Sequence, residues 1–225
     1  MTNQLLSVAV NSFRPTAPTE ALIDDFKTSA RTSIARRTPS APLKQLLAAG
    51  LINGSVLNYG KGRTNKDSDA INKVAFCHDY DYVYAPYPEL LGNSYDTVFS
   101  AFVVNTLPPA ARDHVWRQMA SVCKGKAYIA ARSSTDRGLK GVREKDGLRT
   151  SINTFQKGYE VNELKEEALR YFASVREIPT RGAFRLVECS HGSLEVTGNF
   201  TQLSLVQKIN VEQSHRTAQK SQEVI

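Results

Sequence analysis

Between residues 19 and 33 the apolar side chains Ala21, Leu22, Phe26 and Ala30 recur at helical spacing, behind Pro18 and Thr19, which read as a cap. Residues 36–42 (RRTPSAP) form a linker with two prolines and a basic pair. A short helix over 43–51 follows, ended by Gly50, and Asn53-Gly54 marks a turn. The pattern then alternates. Residues 55–59 (SVLNY) predict a strand and 67–72 the start of a helix. A second strand is expected at 74–77 and a third at 95–103 (YDTVFSAFV). Residues 108–121 predict a helix with prolines at its start and Ala111, Val115, Met119 and Val122 along one face, and 127–131 (AYIAA) another strand. Strands alternating with helices through short connections predict an α/β fold with a mostly parallel sheet and helices on both faces. Further along, 161–174 reads as a helix, 184–189, 194–200 and 203–209 as strands, and 212–225 as a polar tail.

Composition alters this picture little. In 225 residues, 41% are hydrophobic and 23% charged, ordinary for a globular chain able to bury its own core. No apolar run reaches the length of a membrane span and no basic segment precedes the apolar N-terminal patch, so the expectation is a cytoplasmic protein without a membrane partner. Cys77, Cys123 and Cys189 form no CxxC pair, which argues against a disulfide framework and a zinc site. The organisation expected is an N-terminal helical extension over 1–40, a Rossmann-like domain over 41–210 and a flexible tail over 211–225. Charge is uneven. Residues 124–149 hold eight Lys or Arg (Lys124, Lys126, Arg132, Arg137, Lys140, Arg143, Lys145, Arg149) against Asp136, Glu144 and Asp146. That stretch is either a nucleic-acid contact or a solvated loop kept soluble by charge.

The chemical signal is the junction of the first strand with Gly60-Lys61-Gly62. A strand running into G-x-G and then a helix lets backbone approach a nucleotide-like ligand, because no Cβ intervenes; the same residues also suit a plain tight turn. An acid about twenty residues further on, at the end of the second strand, is where a ribose would be held. Asp79 and Asp81 occupy that place, and Tyr82 and Tyr84 beside Asp81 are candidates to cover an adenine. Ligands of open α/β sheets lie beyond the carboxyl ends of the strands, which draws Ala101, Phe102, Val103 and Asn105 to the same pocket. Asn105 serves equally as a substrate contact or as a turn residue. His78, near the proposed pocket, is a general-base candidate but reads more simply as a packing or surface residue. His114 reads as a surface residue, and no histidine has metal-ligand spacing with acids or cysteines.

These residues resemble class I S-adenosylmethionine-dependent methyltransferases, whose first motif is a strand followed by D-x-G-x-G. The closer resemblance is to bacterial methyltransferases associated with DNA phosphorothioation. In those, a P-S-x-P segment precedes V-L-D-Y-G-C-G-R-G, followed by Y-D-P-Y and by Y-D-V-V…N-x-L-P-P-x-x-R. Here the corresponding strings are TPSAP, VLNYGKGR, YDYVYAP and YDTVFSAFVVNTLPPAAR, with AYIAAR (127–132) and Thr154-Phe155-Gln156 as the continuation. The resemblance spans roughly residues 36–160. It implies S-adenosyl-L-methionine as cofactor, with Asn58, Tyr59, Gly60 and Gly62 around its methionine part. It further implies Asp81 and Tyr82 at its ribose and base, and Ala101, Phe102 and Val103 lining the methyl-donor pocket. Asn105, Arg132, Phe155 and Gln156 are the substrate-side candidates; no catalytic residue or metal ligand is assigned. Asn58 stands where the family has an acid, Lys61 where it has a small residue or Cys, and Thr64 where it has a further Gly. Only about fourteen residues separate Asp81 from Asp96, so the helix and third strand expected between them are shortened or absent. Two other functions stay open: a different use of the cofactor, such as aminocarboxypropyl transfer or cofactor cleavage, and a non-catalytic nucleic-acid or partner-binding module. The D/N-P-P-Y/F tetrapeptide of base-methylating enzymes and a Pro-Cys nucleophile are both missing.

Overall fold

A computed structural model describes residues 17–192. The strands expected at 194–200 and 203–209 and the tail beyond 211 lie outside the described residues, as does the chain before residue 17. Helix α1 (Glu20–Ala30) is capped by Thr19, whose Oγ1 accepts from the Leu22 N–H at 3.4 Å. Helix α2 (Ala41–Ala48) carries Pro42 in its first turn and buries Leu43 and Leu46 completely. It stops because Gly50 takes φ 67°, so that Leu51 N–H reaches the Leu46 carbonyl at 3.0 Å and Gly50 N–H the Leu47 carbonyl at 3.1 Å.

Strand β1 (Ser55–Tyr59) is buried from Val56 onward, as a central strand covered on both faces must be. It pairs in parallel with β2 (Phe76–Tyr80) and β3 (Tyr95–Ala101), and β3 pairs in parallel with β4 (Cys123–Arg132). Strand β9 (Phe184–Ser190) then runs antiparallel to β4, and β8 (Ser174–Glu177) antiparallel to β9. The six-stranded order is β2-β1-β3-β4-β9-β8. One face buries Leu57, Val98 and Ile129 against α1 and α4 (Pro109–Val122). The other buries Val56, Phe99 and Ala130 against α2, and Ile71 of α3 (Lys66–Ile71) joins that core. Asp96 ties the start of β1 to β3, accepting from the Ser55 N–H at 3.0 Å and hydroxyl at 2.8 Å.

Four expectations shift. The second strand begins at Phe76 rather than residue 74. Pairing with β1 sets its register, and as the sheet edge it leaves Val74 and Phe76 exposed. The third strand ends at Ala101, because Phe102 turns to φ 64° and a 3-10 turn (Val104–Thr106) follows. The helix expected over 161–174 shortens to α5 (Glu163–Ala168): Asn162 at φ 66° sets its start, Leu164 and Ala168 are its buried pair, and Ser174 already belongs to β8. Part of the basic stretch is neither loop nor strand extension but a small antiparallel sheet, β5 (Val142–Glu144), β6 (Gly147–Arg149) and β7 (Phe155–Gln156). Between Asp81 and Asp96 the chain makes a turn closed by the Asp81↔Ala85 bridge and a 3-10 turn (Pro88–Gly92), and no strand pairs with the outer edge of β2 among the described residues. No helix of the described residues is long and apolar enough to cross a membrane.

Candidate functional site

Beyond the carboxyl ends of β1, β2, β3 and β4 lies a cavity of about 450 Å³, a size suited to a small molecule. Its floor at one end is the glycine loop. Gly60 N–H and Lys61 N–H both donate to the Tyr80 carbonyl, at 2.7 and 3.2 Å, which clamps the loop to the end of β2. Gly60 and Gly62 adopt φ 76° and 69°. A Cβ on Gly60 would lie 2.1 Å from Val103 Cγ2, and one on Gly62 2.7 Å from Ser33 Oγ. Both places therefore demand glycine for conformation and for space.

Asp81 faces this loop. Its Oδ2 accepts from Gly62 N–H at 2.9 Å, and its Oδ1 from Val83 N–H at 2.8 Å and Tyr84 N–H at 3.0 Å. Asp79, the other candidate acid, points elsewhere: it accepts from Asn58 Nδ2 at 2.9 Å and Ser68 Oγ at 2.7 Å. The pair explains a departure from the family pattern. Asn58, expected around the methionine part, is buried among Asp79 and Ser68 and does not line the cavity.

Tyr59, Tyr82, Ala101, Phe102, Val103, Asn105, Arg132 and Gln156 all line the cavity with the two glycines and Asp81, as expected. Phe155 does not. It is buried, with its ring against Gly147, whose Cβ would lie 2.5 Å from Phe155 Cζ. Tyr82 does line the cavity, yet its ring is not free to cover an adenine: Phe26 of α1 stacks on it at 3.8 Å and Tyr80 meets it edge-on at 5.3 Å. Its hydroxyl is fixed as well. Tyr59 and Tyr82 both donate to Gln118 Oε1, at 2.6 and 2.7 Å, so the Tyr82 oxygen accepts from His114 Nε2 at 3.0 Å. His114, read from sequence as a surface residue, is thus a buried member of this network, and burial lowers its pKa. His78 packs against the rings of Phe76 and Tyr95, away from the cavity.

The wall contributed by α1 and the segment after it went unread. Ser29, Thr32, Ser33 and Arg36 line the cavity, as do Lys61 and Asp136. Tyr84 donates to the Ala30 carbonyl at 3.1 Å, Arg63 N–H to Ser33 Oγ at 3.0 Å, and Arg31 to the Ile152 carbonyl at 2.7 Å, so the segment is latched on both sides. The helical period of 19–33 was legible; its destination was not, because nothing local says which surface a helix covers. Opposite the glycine loop, Arg132 Nε donates to Asp136 Oδ2 at 2.8 Å and Nη1 to Gln156 Oε1 at 3.4 Å. The bond from Arg132 holds the Asp136 carboxyl below its ordinary range. Arg36 lies 5.5 Å from the centre of the Phe102 ring. No cluster that would hold a metal occurs among the described residues.

The basic stretch is divided. Lys124 and Lys126, at the opening of β4, pair with Asp96 at 3.7 Å and Glu188 at 3.1 Å, whereas Arg132 closes the same strand at the cavity. Arg149 pairs with Glu144. Arg137, Lys140, Arg143 and Lys145 are exposed.

No protein-family model and no curated protein sequence matches the chain. Solved structures match in fold. A DhpI–SAM–HEP complex superposes with TM-score 0.52 at 16% identity, over 77% of this chain and 99% of that one. A DhpI–SAH complex gives 0.54 at 14%, over 78% and 99%. The 1,6-didemethyltoxoflavin-N1-methyltransferase of Burkholderia thailandensis, with 1,6-didemethyltoxoflavin and S-adenosylhomocysteine bound, gives 0.50 at 16%, over 79% and 92%. The fold is the Rossmann-like fold of class I methyltransferases, with no further strand beside β2 among the described residues.

Proposed function

We propose that the chain is an S-adenosylmethionine-dependent methyltransferase acting on a small acceptor. One observation carries this reading: the side-chain-free backbone of Gly60 and Gly62 and the Asp81 carboxylate border one cavity at the carboxyl ends of parallel strands. The residues fit the cofactor. Asp81 has a lone pair to offer a ribose diol, the glycine loop admits the close approach of the methionine part, and Lys61 and Arg36 are cations of the same lining that could pair with its carboxylate. When bound, the cofactor supplies an electrophilic methyl group on a sulfonium. The protein's task is then alignment and exclusion of water, which α1 performs as the cavity's outer wall. A small acceptor is favoured because about 450 Å³ must also hold the cofactor, and because the Burkholderia thailandensis neighbour holds 1,6-didemethyltoxoflavin.

Titration calorimetry with S-adenosylhomocysteine tests this directly. Binding is expected, weakened about tenfold or more by Asp81→Ala, which removes a charged acceptor; no heat of binding to the wild-type chain would overturn the proposal. Incubation with methyl-labelled cofactor separates methyl transfer from release of methylthioadenosine, the product of cofactor cleavage. The cleavage reading drew on Asn58, which lies outside the cavity, and on Lys61, which lines it. Nucleic acid as partner, and with it any tie to DNA phosphorothioation, rests on the exposed Arg137–Lys145 stretch alone. Such binding would fall steeply with salt.

A further inference from the structure

The two ends of the cavity lie over different strands. Asp81 follows β2 and Arg132 ends β4, three strand spacings apart in the order β2-β1-β3-β4, roughly 14 Å at the usual interstrand distance. On the reading proposed above, the ribose end takes β2 and β1, which leaves the β4 end to the acceptor. That end is a built site. Asn105, fully buried, accepts from the Arg132 N–H through Oδ1 at 3.3 Å and donates through Nδ2 to Gln156 Oε1 at 3.4 Å. Gln156 is only 7% exposed. Its Oε1 is taken by Asn105 and Arg132, and its Nε2 donates to no protein group although the residue lines the cavity. Arg132 spends Nε on Asp136 and one Nη1 hydrogen on Gln156, keeping the rest of its fork. So donors, not acceptors, remain.

Among the described residues the same lining sets no free base at the β4 end, where the one carboxylate, Asp136, is paired with Arg132. Neither histidine nor cysteine lines the cavity among the described residues. Asp136 is committed to Arg132 and to the Gly138 N–H at 2.8 Å, and Asp81 to three backbone N–H groups. Burial pushes the hydroxyls of Tyr59, Tyr80 and Tyr82 up, so they stay protonated.

We infer that Arg132 and Gln156 bind a small oxyanion, a carboxylate or a phosphonate, and that this acceptor attacks through its own oxygen. Such a transfer forms an O–CH₃ bond as the S–CH₃ bond breaks, the bonding pair stays on sulfur, and no proton moves. A base is therefore not required.

The test is calorimetry on the full chain saturated with S-adenosylhomocysteine, titrated with benzoate, phenylphosphonate, benzyl alcohol and benzylamine. One or both anions should bind at least about tenfold more tightly than the alcohol and the amine, as charge-assisted hydrogen bonds imply. Benzoate against phenylphosphonate tells which oxyanion the site prefers. Arg132→Met should abolish that preference, and Gln156→Glu, which sets a carboxylate beside Arg132 without removing it, should do the same if Arg132→Met fails to fold. Both variants should keep S-adenosylhomocysteine affinity within about twofold. Anions that bind no better than benzyl alcohol, or equally well to a folded variant, would overturn the inference. Failure of S-adenosylhomocysteine itself to bind the wild type would instead sink the methyltransferase reading.

Discussion

At the β1–β2 end of the cavity the polar groups are mainly backbone: Gly60 and Lys61 N–H on the Tyr80 carbonyl, and Gly62, Val83 and Tyr84 N–H on one carboxylate. At the β4 end they are side chains: Arg132 and Asp136, Gln156, and Asn105, from three separate segments. A backbone-built end needs only a strand, a glycine turn and one acid at the right distance, so its geometry follows from local sequence. A side-chain-built end needs β4, β7 and the turn after β3 to be docked together first. That docking is done behind the cavity, where buried Arg112 on α4 meets Glu167 of α5 at 3.0 Å and also Asp146 of the β5–β6 turn. Trp116 and Tyr159 donate to the same Glu167 carboxylate at 2.6 and 3.1 Å.

The largest expected effect separates the two ends. Arg112→Met strands Glu167 in the interior and should cost about 3–5 kcal/mol, the range for breaking a buried ion pair by removing one partner. Denaturant unfolding measures it. If the ends are built independently, protein that remains folded should still bind S-adenosylhomocysteine within about twofold of wild type; a parallel collapse of affinity would show that the glycine end also leans on Arg112.

Gly60→Ala is the converse. The left-handed φ and the 2.1 Å approach to Val103 Cγ2 together predict a loss of about 2–4 kcal/mol. Here binding should suffer with stability, because the strained segment is the cradle itself. An alanine variant with wild-type midpoint and affinity would mean that the loop does not adopt this geometry.

What could be read from sequence follows the same division. The two glycines and Asp81 were legible because strand, turn and acid lie within 55–81, and the mostly parallel sheet because strands alternate with helices. The fate of Asn58 was not, since only the register Asn58↔Asp79 brings its amide to that carboxylate. Phe26 was visible as an apolar helical position, but its stacking on Tyr82 joins residues 56 apart in sequence. The basic stretch was visible as a charge count, but not where each cation goes: Lys126 lies in the first half of β4 and Arg132 at its end. Asp136 and Arg36 carried no pattern at all.

Acid should loosen the side-chain end. Burial raises the Asp146 carboxyl, but Arg112 and Lys157 outweigh it and hold the group below its ordinary range, and Arg132 does the same for Asp136. A depressed folded-state pKa stabilises the protein above the unfolded value and loses that contribution as pH falls through the folded one. Stability should therefore be level near neutrality and decline below about pH 4, by about 1 kcal/mol for a partly exposed group. Unfolding midpoints from pH 7 to pH 3 should show the decline, and Asp146→Asn should flatten part of it. A decline unchanged in that variant would place the acid-sensitive pairs elsewhere.

Between the two ends stands Phe102, where the smallest effect and the most direct reading of strain are expected. Its φ of 64° is one that aromatic residues rarely adopt, and its ring meets Phe184 at 6.3 Å and underlies Arg36 at 5.5 Å. Phe102→Ala and Phe102→Gly both delete the ring, so lost packing cancels between them. Only the strain differs, because glycine accepts the left-handed region and alanine does not. Glycine's greater freedom in the unfolded chain works the other way, by about 0.5–1 kcal/mol against a strain of about 1–2 kcal/mol. Phe102→Gly should then exceed Phe102→Ala in unfolding free energy by up to about 1 kcal/mol. The reverse order would mean that the turn after β3 relaxes once the ring is gone, and that Phe102 is held at this φ by its own packing rather than by the bond from its N–H to the Ala130 carbonyl at 2.8 Å.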